Sequence, residues 1–184
     1  MLATGFPYDR REHLAFYLGF FADFVGSAQG VRRNGSAALD LCYVACGRID
    51  AFCAYVGTAG CFLGVSRALV AALPGLHRAV VEPAESAVLS GGPPGTHHIE
   101  GGGIGQRPPQ LHPADYDEVI VIPEARAFVT ARQAARGEGI FSGPSTGANL
   151  AAALDIAGRL GPGHRVVTLQ VDSGLKYLAG PLYS

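Results

Sequence analysis

The sequence predicts an α/β fold, a three-layer, mostly parallel sheet with helices on both faces, on three observations. Apolar runs of strand length alternate with segments whose apolar residues recur every three or four positions, the order that crossover connections between parallel strands require. Glycine supplies 26 of the 184 residues, about twice its usual share, and is scattered at the ends of those runs, where strands turn tightly into helices. Hydrophobic residues make up 48% and charged residues 16%, enough apolar content to bury a core and too little charge for a disordered chain.

Taken in order, Leu14, Phe16, Tyr17, Phe20, Phe21, Phe24 and Val25 give an amphipathic helix from Asp9 to about Ala28. Asp9 is its N-cap, and Glu12 completes a variant capping box. The same stretch follows Arg10 and Arg11 as a signal-peptide core would, but Asp23 inside it and Asp9 and Glu12 before it argue against cleavage. It is also too short to cross a bilayer. An extended piece over 30–33 leads to Asn34-Gly35-Ser36, whose serine caps a second helix running to about Cys46 and ended by Gly47. Ile49 to Val56 is β-branched and aromatic and reads as a strand buried on both faces.

Gly57-Thr58-Ala59-Gly60 turns that strand into a helix from about Cys61 to Leu73, stopped by Pro74-Gly75. His77 to Val81 is the next strand. Glu82 to Pro113 is rich in Gly, Pro and His without periodicity, and is too long for an idle connection, so it is expected to be functional or disordered. Then follow a strand at Glu118–Ile122, a helix from Glu124 to about Arg136, a short extended piece at Ile140–Gly143, a helix at Thr146–Leu160 and a strand at Arg165–Val171.

The formal net charge of −1 provides no field for nucleic acid or anionic lipid, so neither nucleic acid nor membrane is expected as a partner and a small molecule is. Cys42, Cys46, Cys53 and Cys61 form no disulfide framework and read as buried structural thiols in a cytoplasmic protein. Cys42 and Cys46 stand four apart on one helix, with no His at ligand spacing beside them. His97-His98 and His112 read as loop histidines, so no metal site is expected. Gly101-Gly102-Gly103-Ile104-Gly105 neither follows a strand nor opens a helix, as a dinucleotide fingerprint must. Lys176 is the sole lysine, the single candidate for amine chemistry.

Several local motifs stand in a fixed order: Val56-Gly57-Thr58-Ala59-Gly60-Cys61, Val81-Glu82-Pro83-Ala84-Glu85-Ser86 and Leu89-Ser90-Gly91-Gly92 come first. Pro94-Gly95-Thr96-His97-His98-Ile99-Glu100-Gly101, Gly143-Pro144-Ser145-Thr146-Gly147-Ala148 and Asp172-Ser173-Gly174-Leu175-Lys176-Tyr177-Leu178 follow. From about residue 50 to 184 the chain therefore resembles the C-terminal part of a cysteine synthase-like enzyme, the pyridoxal-phosphate family with the tryptophan-synthase β fold. Residues 1–49 resemble something else. Thr4-Gly5-Phe6-Pro7-Tyr8-Asp9 and Val31-Arg32-Arg33-Asn34-Gly35-Ser36-Ala37-Ala38-Leu39-Asp40-Leu41-Cys42 are similar to the C-terminal lobe of the inositol monophosphatase family. The chain thus reads as two domains, 1–49 and 50–184, a join between two incomplete enzymes.

The resemblance implies that Gly57, Thr58, Ala59, Gly60 and Cys61 form the turn that holds the cofactor phosphate. An anion at a strand-to-helix turn meets unpaired backbone N–H groups and the positive end of the helix dipole. The family pattern is Gly-Thr-Gly-Gly-Thr; Ala59 replaces a glycine and Cys61 a threonine, so affinity for pyridoxal phosphate is expected to be weak. Ser145 matches the serine that hydrogen-bonds the pyridine nitrogen, a neutral contact suited to chemistry without a fully protonated ring. Ser145-Thr146 also reads as a helix N-cap. Asp172 and Ser173 either border the ring or cap a turn.

The family's Schiff-base lysine and its substrate-carboxylate loop match no residue here, and Lys176 falls at another family position, so no catalytic residue is assigned. The implied function is an incomplete, catalytically impaired relative of enzymes that carry out β-elimination or β-replacement on serine or cysteine derivatives. A small amino acid is the parent family's substrate, and self-association or a homodimer is expected, because half of a two-lobed enzyme bares apolar surface. The rival reading is a non-catalytic fusion or assembly domain. A third, an inositol-phosphatase-type hydrolase, meets only Asp40 and Asp50 near its match and lacks the acids for a two-metal site.

Overall fold

The computed structural model describes residues 2–3, 31–32 and 49–183, and the chain divides into two compact units, Met1–Cys46 and Gly47–Ser184. In the first unit strand β1 (Leu2–Ala3) pairs in parallel with β2 (Val31–Arg32). β2 falls in the piece expected to be extended. The two helices expected on either side of it, and with them Asp9, Ser36, Cys42, Cys46 and Gly47, lie outside the described residues.

The second unit runs β3 (Ala51–Tyr55), α1 (Gly60–Ala72), β4 (His77–Pro83), β5 (Glu118–Ile122), α2 (Glu124–Glu138), α3 (Pro144–Leu160) and β6 (Val166–Thr168). The four strands form one wholly parallel sheet in the order β5-β4-β3-β6. The register sets Ala51 of β3 opposite His77 and Val166, and Tyr55 opposite Val81. All five residues of β3 are buried, as expected of a central strand covered on both faces.

Alternation along the strands divides the core into two layers. Ala51, Cys53, Tyr55, Ala79, Val81, Ile120 and Ile122 face one way and pack with Ala148, Ala151, Ala152 and Ile156 of α3 and Ala127 of α2. Phe52 faces the other way and stacks on Phe62 of α1, ring centroids 5.7 Å apart. The α/β, three-layer class read from the sequence is what the chain adopts. Small residues set how closely α2 and α3 approach: a Cβ at Gly147 would stand 2.1 Å from the Ala127 carbonyl oxygen. At the exposed rim of that contact Arg126 holds Asp155.

The short piece over 140–143 joins α2 to α3 without regular secondary structure. Two expectations need correction. The last strand is shorter than Arg165–Val171, because beyond Thr168 the backbone turns its groups to α3. There the Leu169 carbonyl accepts from the Asn149 side chain at 2.9 Å and the Val171 N–H donates to the Thr146 hydroxyl at 3.1 Å. Finally, the segment after β4 is ordered. Its Ile99 and Leu111 are buried in the core, and it contains two 3₁₀ turns, Ala84–Ser86 and Pro113–Asp115. The buried Glu82 carboxylate pins its start, accepting from the Leu89 N–H (2.7 Å), the Ser90 N–H (2.8 Å) and the Ser90 hydroxyl (2.6 Å). No helix among the described residues is long and apolar enough to cross a membrane.

The Phe52–Phe62 stack joins the sheet to α1. Truncation by Phe52→Ala is expected to cost about 3–5 kcal/mol, read as a lower midpoint in urea at unchanged slope for the full chain.

Candidate functional site

In an open parallel sheet ligands gather at the carboxyl ends of the strands, and here that edge is built around Tyr55, the last residue of β3. Its N–H donates to the side-chain carbonyl of Asn149, and the Asn149 amide donates to the Leu169 carbonyl at 2.9 Å. One fully buried side chain thus ties the ends of β3 and of the chain leaving β6 to α3. The Tyr55 hydroxyl donates to the Ile99 carbonyl at 3.1 Å. Burial raises the Tyr55 phenol well above its ordinary value, and the carboxylates of Glu85, Glu124 and Glu82 add to the effect, so it remains a donor.

That bond draws the glycine-rich segment across the strand end. A Cβ at Gly102 would stand 2.2 Å from the Tyr55 ring, and one at Gly57 would stand 2.3 Å from the Gly101 carbonyl oxygen. The Gly103 N–H donates to the Val56 carbonyl at 3.2 Å, and the His97 Nε2–H donates to the Gly103 carbonyl at 3.0 Å. Glycine is required at both 57 and 102 because one backbone rests on the other.

The turn from Gly57 to Cys61 opens α1. Ala59 is its N-cap, in the left-handed region at φ 63°, ψ 3°, and donates no side-chain cap; the first turn carries no acidic residue. The first backbone bond runs from the Leu63 N–H to the Ala59 carbonyl at 2.9 Å. The N–H groups of Gly60, Cys61 and Phe62 therefore precede any intrahelical acceptor. A Cβ at Gly60 would meet only the Thr58 hydroxyl, at 3.9 Å. Thr58, Gly60 and Cys61 are exposed, and the Gln110 amide donates to the Thr58 carbonyl. Cys61 corrects the expectation of buried thiols: its position in the first turn faces solvent. Cys53 is buried, and burial pushes its thiol up to about 11.

Ser145 begins α3 at the same edge, buried, one helical turn before Asn149. It is not the N-cap. Gly143 holds that position with Pro144 following, and the capping acceptor comes from Asp172. One Asp172 oxygen accepts from the Ser145 N–H (3.1 Å) and the Ser145 hydroxyl (2.6 Å). The other accepts from the Gly143 N–H (3.0 Å), the Thr146 N–H (3.2 Å) and the Thr146 hydroxyl. A Cβ at Gly143 would stand 2.3 Å from that carboxylate and 2.2 Å from the Tyr177 ring. Burial and the Asp172 charge raise the Tyr177 phenol. Ser173 caps a local turn, accepting from the Leu175 N–H at 3.3 Å.

The other singled-out groups are engaged elsewhere. Lys176 pairs with Glu100 on the surface and lies 5.6 Å from the Tyr177 ring centre. His98 pairs with Glu124, and His112 caps the turn ending at Asp115. Among the described residues no three metal-binding side chains stand together. The sequence reading passed over Tyr55 and Asn149. The available signal was Asn149 itself, an amide inside the small apolar run Gly147-Ala148-Asn149-Leu150-Ala151-Ala152, where a buried polar group must serve a partner.

Comparison with known proteins bears on this edge. The family model described as "Pyridoxal-phosphate dependent enzyme" matches residues 16–172. A cysteine synthase of Staphylococcus aureus (strain Mu50) is 43% identical over 136 residues, covering 74% of this chain and 44% of that protein. A probable cysteine synthase of Bacillus subtilis (strain 168) is 44% identical over the same extent. In structure, the O-acetylserine sulfhydrylase isoform 3 of Entamoeba histolytica superposes with a TM-score of 0.76 at 31% identity, covering 92% of this chain and 54% of that one. The chain spans less than half the length of the curated relatives it matches.

Ala59 carries a cost that its glycine counterpart would not, since a left-handed conformation disfavours any residue with a Cβ by about 1–2 kcal/mol. Ala59→Gly is expected to raise stability by about 0.5–1 kcal/mol after the added chain entropy is counted, checked by the urea midpoint of the two chains.

Proposed function

The chain belongs to the pyridoxal-phosphate dependent enzyme family, and we propose that it carries the phosphate-binding and ring-nitrogen portion of a cysteine synthase-like site. The observation that carries this reading is the opening of α1, where first-turn N–H groups precede any intrahelical acceptor and no side chain or acidic residue caps them. These donors fit a phosphate. Gly57, Thr58, Ala59, Gly60 and Cys61 would hold it, and Ser145 would meet the ring nitrogen. Bound pyridoxal phosphate supplies an electron sink for charge developing on an amino acid.

The parent reaction we propose is β-elimination or β-replacement on a serine or cysteine derivative, the chemistry of a lyase or transferase. Residues of this chain bind and orient the cofactor; Lys176, held by Glu100 at the surface, is not the amine for that chemistry, so the chain alone is catalytically impaired. Self-association, or a further polypeptide that completes the site, is supported by Ile104, Val171 and Leu178, each about half exposed. A second reading, that residues 1–49 are an inositol monophosphatase-like fragment joined by fusion, rests on the motifs at 4–9 and 31–42 alone. The family match begins at residue 16 and runs through most of that segment, which favours a single pyridoxal-phosphate chain.

Titration of pyridoxal phosphate into the purified chain, followed by cofactor absorbance and fluorescence, tests the proposal. Saturable binding that inorganic phosphate displaces and Lys176→Ala leaves intact is expected. Absence of saturable binding, or its loss in Lys176→Ala, would overturn it.

A further inference from the structure

Three helices of the second unit begin at the carboxyl edge of the sheet; α2 opens with the acidic Glu124, whose N–H donates to the Glu85 carboxylate at 3.0 Å, and the first turns of α1 and α3 differ in one respect. At α1 no acidic side chain stands among the first-turn amides. At α3 the Asp172 carboxylate occupies the corresponding place and accepts five hydrogen bonds, from the Gly143, Ser145 and Thr146 N–H groups and from the hydroxyls of Ser145 and Thr146. The Thr146 hydroxyl oxygen in turn accepts from the Val171 N–H at 3.1 Å and the Asp172 N–H at 3.4 Å. Asp172 is thus fixed to α3 from both its backbone and its side chain.

We propose that Asp172 is the specificity determinant that gives the site its polarity, a resident anion that closes the α3 end to phosphate and leaves the α1 end open to one. The proposal rests on the cofactor reading above and adds to it which end of the ligand goes where. A helix N-terminus attracts anions through its unpaired amides and its dipole. At α3 the amides of 143, 145 and 146 are spent on Asp172, and its charge offsets the dipole.

The same contact fixes what Ser145 offers. The Ser145 hydroxyl donates to Asp172 at 2.6 Å, so an anion seated there would face repulsion from the carboxylate across that bond, whereas an uncharged ring nitrogen would not. The site therefore takes a ligand that is anionic at one end and neutral or cationic at the other. Gly143 belongs to the same device, since any larger residue would displace the carboxylate.

The test is titration of inorganic phosphate into the full chain at low ionic strength, with backbone amide shifts followed by NMR. In the wild-type chain the amides of Gly60, Cys61 and Phe62 are expected to shift saturably while those of Ser145 and Thr146 do not. In Asp172→Ala the Ser145 and Thr146 amides should gain a saturable response, with phosphate bound there about tenfold tighter than in the wild-type chain, the scale of removing one competing charge at a helix end. Asp172→Asn, which keeps an acceptor oxygen and loses the charge, should gain in the same direction by less, and serves if the alanine variant does not fold.

Saturable shifts at Ser145 and Thr146 in the wild-type chain would overturn the proposal. So would a folded Asp172→Ala or Asp172→Asn chain, with the Tyr55 and Asn149 amides unmoved, that gains no response at α3. Loss of response at Gly60–Phe62 in every chain would refute the cofactor reading instead, and the gain or its absence at α3 would still decide the role of Asp172.

Discussion

Tyr55 ends the central strand at the point where the sheet must give way to the turn, and its N–H has no further strand partner among the described residues. Asn149 supplies the acceptor from α3 and uses its amide to hold the Leu169 carbonyl beyond β6. A buried donor left without a partner costs about 1–3 kcal/mol, and here two backbone groups on different elements depend on one side chain. That amide ties α3 to the end of β3, just before the turn at Gly57, and to the chain leaving β6. Tyr55 extends the same constraint outward, since its hydroxyl holds Ile99 and its ring supports Gly102.

From this anchor the edge carries the unlike first turns of α1 and α3. The α1 end is a set of amides reached through a turn whose glycine at 57 lies against the Gly101 carbonyl. The α3 end is a closed network around Asp172. Ligand chemistry follows from that asymmetry more than from any single residue: an anion finds donors at one end and a carboxylate at the other. Family membership supplies the candidate for such a ligand, a cofactor with a phosphate at one end and a ring nitrogen at the other. The stretch shared with a curated relative spans 44% of that relative's length.

Much of the fold was legible in the sequence because its signals are local. The β-branched run over Ile49–Val56, the glycine-rich turn and the periodic helices placed β3, α1, α2 and α3 to within a few residues. The misreadings were those in which a distant group overrides local preference. Ser145-Thr146 reads as a cap until Asp172, some 27 residues away, supplies the acceptor and makes both hydroxyls donors. Arg165–Val171 reads as a longer strand until Asn149 and Thr146 withdraw its last backbone groups from pairing. The segment after β4 lacks periodicity because Ile99 and Leu111 enter the core singly and Glu82 orders its start through backbone N–H groups. Glu82 belongs to the motif Val81-Glu82-Pro83-Ala84-Glu85-Ser86, but its role depends on the loop folding back on it. Cys61, grouped with the buried thiols by its apolar neighbours, is exposed because it begins a helix at the open edge.

The central claim is that the Asn149 bridge is as stable as the sheet itself and that the candidate site stands on it. Native-state hydrogen exchange at the Tyr55 amide measures this directly. The account predicts that this amide exchanges only with global unfolding, with the same free energy as the amides at the centre of β3 and β4. Exchange of Tyr55 through a local opening, at a free energy near that of exposed loop amides, would contradict it and would detach the turn from the core that is held to position it.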